Sequence, residues 1–114
     1  MLRSLDGNER PLEFLRRKKV AIVSGIASPE SFEGTVKELG AIIEKIFAYP
    51  DHHPYSKEDV FEITATVKSL DAVVTTEKDL VKLSGLWPKE VLLLAVSIEV
   101  KIENEAGFLG LMGK

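Results

Sequence analysis

The sequence predicts a small three-layer α/β domain, Rossmann-like, with a mainly parallel sheet of about four strands and helices on both faces. Short β-branched runs recur along the chain, at Val20 to Ser24, Ile42 to Phe47, Ala72 to Thr75 and Val91 to Val96. Between the first three and the last stand stretches with helical apolar spacing and recognisable starts, and the connections are short. Strands alternating with helices in this way are accommodated by parallel pairing with right-handed crossovers.

Residues 1–17 mix charges with Gly7 and Pro11 and read as a lead-in segment, from which Leu12, Phe14 and Leu15 can dock on a core. The domain proper spans 18–101. Its first strand, Val20 to Ser24, closes at Gly25 and is apolar enough to lie buried on both faces. Ser28 and Pro29 then mark a helix start, the hydroxyl as a cap and the proline at the first helical position. Phe32, Val36 and Leu39 share a face of that helix, which Gly40 ends. The second strand runs into Tyr49 and Pro50, where proline stops regular pairing. Ser56 to Asp59 has the form of a capping box, and Val60, Ile63, Val67 and Leu70 continue as a helical stripe. The third strand leads into Thr76 to Asp79, which repeats that cap pattern ahead of Leu80 and Leu83. Gly85 and Pro88 precede the fourth strand, and a glycine-rich tail occupies 102–114.

At 114 residues the chain supports one core. A net charge of −3 offers no broad positive field for nucleic acid phosphates, so nucleic acid is not an expected partner. The absence of cysteine excludes disulfides, thiolate zinc sites and a thiol nucleophile, and fits a reducing cytoplasm. No apolar run approaches the ~20 residues of a spanning helix, and residues 1–17 lack the apolar stretch of a secretory signal. The basic run Arg16 to Lys19 is read as a solvated strand entrance, although four such charges also suit grazing contact with an anionic membrane.

In open parallel sheets, ligands gather beyond the carboxyl ends of the strands. Three segments end there. Ser24 and Gly25 open a turn whose backbone can approach an anion, although any strand-to-helix turn needing a glycine and a cap has the same composition, and no G-x-G-x-x-G is present. Pro50-Asp51-His52-His53-Pro54-Tyr55 places a carboxylate beside both histidines of the chain, which suits a proton acceptor near neutral pH. A surface loop bonded to its own backbone, with Tyr55 covering the core edge, accounts for the same residues. Adjacent histidines usually point different ways and no third exists, so no metal site is expected. At the third segment, capping explains Thr76 and Asp79, and the helix dipole favours Glu77. Lys78 is not so favoured, and its charge calls for a carboxylate partner or a functional role. Gly107 to Lys114 imitates a phosphate loop but has one residue too many, no Ser or Thr after the lysine and no room for a following helix.

These three segments, in this order and spacing, resemble the C-terminal portion of tetraacyldisaccharide 4'-kinase, the lipid A 4'-kinase. Val20 to Phe32 is similar to that family's strand, glycine turn and helix, Pro50 to Tyr55 to its Asp-His loop, and Val74 to Leu83 to its Thr-Glu-Lys-Asp motif. The resemblance implies transfer of the ATP γ-phosphoryl to the 4'-hydroxyl of a lipid A disaccharide precursor, at the inner face of the bacterial cytoplasmic membrane. It implies an N-terminal P-loop kinase domain as partner, which holds most of the ATP and Mg²⁺ and makes the membrane contact. The present chain then has no cofactor and no turnover by itself. Position by position, His52 matches the histidine that helps activate the sugar hydroxyl, with Asp51 orienting it. Ser24, Gly25, Tyr55, Thr76, Glu77, Lys78 and Asp79 fall at substrate or interdomain contacts. The alternative is a stand-alone α/β module that binds a ligand or protein without catalysis.

Overall fold

The computed structural model describes residues 1–96. The expected tail over 102–114 and the last residues of the expected 18–101 domain lie outside them. Among the described residues the four expected strands are present as β3 (Lys19–Ser24), β4 (Ile42–Ala48), β5 (Ala72–Thr76) and β6 (Leu93–Val96), all mutually parallel where they pair. The expectation of about four strands is corrected to six. The lead-in segment supplies β1 (Leu2–Ser4), antiparallel to β6, and β2 (Glu9–Arg10), antiparallel to β1. The sheet order is β2-β1-β6-β5-β3-β4. Three residues with Leu2 and Ser4 buried and Arg3 exposed are too short an alternation to stand out in a sequence, and pairing with β6 is what makes them a strand.

Three helices cover the sheet: α1 (Pro29–Glu38), α2 (Lys57–Thr66) and α3 (Glu77–Leu83). On one face Phe32 and Val36 of α1, with Leu15 from a 3-10 turn at Leu12–Leu15, pack on Leu2, Val20, Ile22, Val74 and Leu94. On the other, Val60 and Ile63 of α2 and Leu80 and Leu83 of α3 pack on Ala21, Val23, Val73, Leu93 and Ala95. Successive β3 residues therefore point into opposite cores, and Val20 to Val23 are all fully buried, as a central strand covered on both sides requires.

The helix starts follow their sequence signals with two departures, and α2 ends short of its expected stripe: Thr66 is its last residue, Val67 is the C-cap and Leu70 lies beyond the helix. Pro29 opens α1, but the Ser28 hydroxyl makes no cap hydrogen bond; the carbonyl of Ser28 accepts from Ser31 N instead. Gly40 takes φ +89 just past α1, the left-handed geometry that favours glycine. At α2 the capping box is complete, with Ser56 Oγ accepting from Asp59 N and Asp59 Oδ2 accepting from Ser56 N, both at 3.1 Å. At α3 only half of the expected box forms, and the reason lies at the functional edge described below. Among the described residues one edge of the sheet is β4, where Ile42 and Ile46 are exposed, yet a register irregularity and the charged residues Glu44 and Lys45 discourage pairing with another strand.

Because Leu2 is fully buried against β6, Leu2→Ala should lower the unfolding free energy by about 2–5 kcal/mol in urea denaturation. A variant as stable as the parent would detach β1 from the cooperative unit.

Candidate functional site

The carboxyl ends of β3 and β5 lie side by side, but the chain leaves them in opposite directions. From β3 it passes through α1 on one face towards β4, and from β5 through α3 on the other face towards β6. The crevice between them is a topological switch point, the place where open α/β sheets commonly admit a ligand.

Here the crevice holds a side chain of the protein itself. Asp79, 1% exposed, accepts three hydrogen bonds: from Gly25 N to Oδ2 at 3.1 Å, from Tyr55 Oη to Oδ1 at 3.1 Å and from Thr76 Oγ1 to Oδ2 at 2.5 Å. Thr76 Oγ1 in turn accepts from Asp79 N at 3.1 Å, which is the half of the α3 cap that forms. The other half is missing because the carboxylate is directed at the glycine turn. Space at Gly25 is tight: a Cβ there would lie 3.1 Å from the Pro50 carbonyl oxygen and 3.3 Å from Tyr55 Oη, so these neighbours would have to yield. The turn is tied further by Tyr49 N donating to the Ser24 carbonyl at 2.8 Å and Thr75 Oγ1 donating to the Val23 carbonyl at 2.6 Å. Ser24 Oγ is buried and has no hydrogen-bond partner among the described residues.

The loop above the crevice begins with a turn closed by His53 N donating to the Pro50 carbonyl at 3.1 Å, with His52 in the left-handed region at φ 66. That turn separates the two histidines. His52 projects into solvent, with its side chain 77% exposed and Nε2 3.6 Å from Asp51 Oδ2, an electrostatic contact too long for a hydrogen bond. His53 folds inward. Its Nε2 lies 2.9 Å from Asp59 Oδ2, and its ring stacks on Tyr49 at 4.5 Å and meets the Tyr55 ring edge-on at 5.2 Å. At the start of α3, Glu77 is paired with Arg3 of β1 at 2.6 Å, whereas Lys78 is exposed and makes no salt bridge among the described residues.

Electrostatics follow this geometry. Burial, reinforced by the Asp79 charge and the hydrogen bond to it, raises the Tyr55 phenol far above its ordinary value. Burial also raises Tyr49, helped by Asp59 and Glu62. The His53 hydrogen bond, followed by that from Ser56 N, holds Asp59 below the usual carboxylate range. The result is a buried anion plugging the crevice, with an exposed imidazole and carboxylate on the rim above. No cluster of three or more His, Cys, Asp or Glu side chains suited to a metal occurs among the described residues.

Fold and site together define a Rossmann-like α/β domain with a polar rim and, across the whole sequence, no phosphate loop. The chain belongs to the tetraacyldisaccharide-1-P 4'-kinase family, whose model matches residues 2–112. The tetraacyldisaccharide 4'-kinase of Syntrophus aciditrophicus is 40% identical over 108 residues, which cover 92% of this chain and 29% of that protein. The Bdellovibrio bacteriovorus enzyme of the same name is 37% identical over 97 residues, 83% of this chain and 29% of that protein. Among solved structures, LpxK from Aquifex aeolicus in complex with ATP superposes with a TM-score of 0.56 at 26% identity, covering 90% of this chain and 30% of that one. The chain thus spans less than a third of the length of these relatives.

The three sequence segments do converge at one edge. The sequence motifs name His53 only as part of the loop and leave Asp59 and Arg3 outside the site. Asp59 sits at the third helical position of a legible cap six residues after His53, a usable signal, but nothing local links Arg3 to a residue 74 positions away.

Removing the plug strands its donors, so Asp79→Ala should cost on the order of 3 kcal/mol in chemical denaturation. Tyr55 predicts an alkaline effect. Its folded pKa is raised above the unfolded value near 10.0, so its contribution is complete below pH 10.0 and is lost as pH climbs above it. Stability measured from pH 9 to 11 should fall less steeply in Tyr55→Phe than in the parent, and identical slopes would contradict this.

Proposed function

We propose that this chain is the C-terminal domain of a tetraacyldisaccharide 4'-kinase. In this reading it closes over a cleft whose other wall is an N-terminal P-loop domain, and the complete enzyme phosphorylates the 4'-hydroxyl of a lipid A disaccharide precursor at the inner face of the cytoplasmic membrane. The observation that carries the reading is the exposed His52 and Asp51 pair on a rim above a crevice already filled by Asp79. The lengths of the relatives support a missing larger part, and the ATP in the Aquifex aeolicus structure supports ATP as phosphoryl donor.

The residues present do not fit a nucleotide or its Mg²⁺. The Gly25 amide, the group that would meet a phosphate, is committed to a carboxylate, whose charge repels a second anion. No donor cluster for a metal lies among the described residues. Both groups are therefore assigned to the other domain, and the chain has no turnover alone.

His52 contributes proton transfer. The His52 imidazole, which makes no hydrogen bond among the described residues, takes the proton of the sugar hydroxyl as its oxygen attacks the γ-phosphorus of ATP and ADP leaves, and Asp51, 3.6 Å away, stabilises the imidazolium that forms. Lys78 is the cation available for an anionic group of the substrate or for the other domain. Glu77 acts through its pair with Arg3, and Ser24, Gly25, Tyr55, Thr76 and Asp79 hold the rim in place.

Mixing this chain with the separately produced nucleotide-binding part of a relative should yield ATP-dependent phosphorylation of an acylated disaccharide phosphate, with neither part active alone. His52→Ala should reduce that turnover roughly 10²- to 10⁴-fold while leaving nucleotide binding intact. Retained turnover would remove the base role. Capture of a small anion by the chain with no kinase part present would favour a non-catalytic binding module.

A further inference from the structure

The second histidine of the loop lies outside every role assigned above, yet its ring is held from three sides. Three different contacts fix its ring: the hydrogen bond to Asp59 at 2.9 Å, the stack on Tyr49 at 4.5 Å and the edge-on approach of Tyr55 at 5.2 Å. An ionised carboxylate only accepts, so the His53 Nε2 carries the proton in that bond. Asp59 is itself immobilised, because Oδ2 also accepts from Ser56 N in the α2 capping box. Tyr55 is immobilised by Asp79, and Tyr49 N is bonded to the Ser24 carbonyl. His53 is thereby joined to the α2 cap, to the end of β4 and, through Tyr55, to the buried crevice.

Its backbone has the complementary job. His53 N closes the turn on the Pro50 carbonyl, and the residue between them that must adopt positive φ is His52. A non-glycine residue there is uncommon and is maintained only when its surroundings determine it. Among the described residues His52 makes no hydrogen bond of its own to hold it, and its side chain is 77% exposed. The constraint therefore has to come from its neighbours.

We infer that His53 is a positioning residue, an anchor whose ring fixes the turn and so sets the direction in which His52 leaves the rim. It touches neither substrate nor reacting atoms. The inference deepens the proposed function, since the value of a fixed direction rests on His52 being the base, but the anchoring can be measured without any kinase activity. Asp59, held below the usual carboxylate range first of all by the His53 hydrogen bond, keeps its charge at neutral pH and so keeps the anchor engaged.

Two substitutions separate the ring's contributions. His53→Phe keeps the stack and the volume, so the domain should fold, but removes the hydrogen bond to Asp59. His53→Gln places an amide nitrogen where Nε2 was and restores that bond. In the full chain, the ¹⁵N backbone order parameter at residue 52 should stand near ~0.85 in the parent, drop below ~0.6 in His53→Phe and recover in His53→Gln. With the nucleotide-binding part added, His53→Phe should lower kcat roughly ten- to a hundredfold with the KM for ATP unchanged, and His53→Gln should regain most of it. An order parameter at residue 52 that is the same in all three proteins would overturn the anchor. Loss of order in His53→Phe combined with full turnover in His52→Ala would uphold the anchor and strike down the base role instead.

Discussion

A carboxylate buried between two strand ends must be given donors or it will not stay there, and Asp79 is given three, each from a different stretch of chain. That requirement organises the whole carboxyl edge. The glycine turn must come close enough to offer its amide, so a side chain at residue 25 would crowd the Pro50 carbonyl and the Tyr55 hydroxyl. The loop after β4 must end in a tyrosine long enough to reach down, and α3 must begin with a hydroxyl that both caps the helix and donates to the same carboxylate. What look in the sequence like three separate motifs form one hydrogen-bonded unit around a single anion.

Filling the crevice moves the chemistry outward. In a nucleotide-binding sheet of this type the switch point receives a phosphate, and here the protein supplies the negative charge itself. The exposed groups are then those of the rim, and the loop divides its two imidazoles between solvent and structure: His52 is left free while His53 is enclosed by Tyr49, Tyr55 and Asp59. The pairing of Arg3 with Glu77 brings the first strand to the same edge, so residues 74 positions apart meet beside the cap of α3.

The central strands were legible because their signal is local: Val20 to Val23 is apolar without interruption, as burial on both faces demands. The α2 start was legible because a capping box is written within four residues. The features that escaped depend on partners far along the chain. Leu2 to Ser4 becomes a strand only beside Leu94 to Val96, and Asp79 turns from cap to plug only because Gly25 lies across the crevice. Ser28 has the composition of a cap but leaves its hydroxyl unused. The candidate site was readable as three segments at one edge, whereas the division of labour between the two histidines was not, since it depends on a backbone turn at His52 and on Asp59 in the next helix.

The placement of β1 has a bearing on how the protein is made. Leu2 pairs with Val96, so β1 cannot take its place beside β6 until that strand, later in the chain, has also emerged from the ribosome. At translation speeds of about 5–20 residues per second the interval is on the order of ten seconds, far longer than a hairpin needs to form. During that time the earlier strand has only β2 as a partner, and the flank of β6 where it will finally lie stays open. Between those two events a nascent sheet of this design is open to misassembly along that flank, and the arrival of β1 beside β6 closes it.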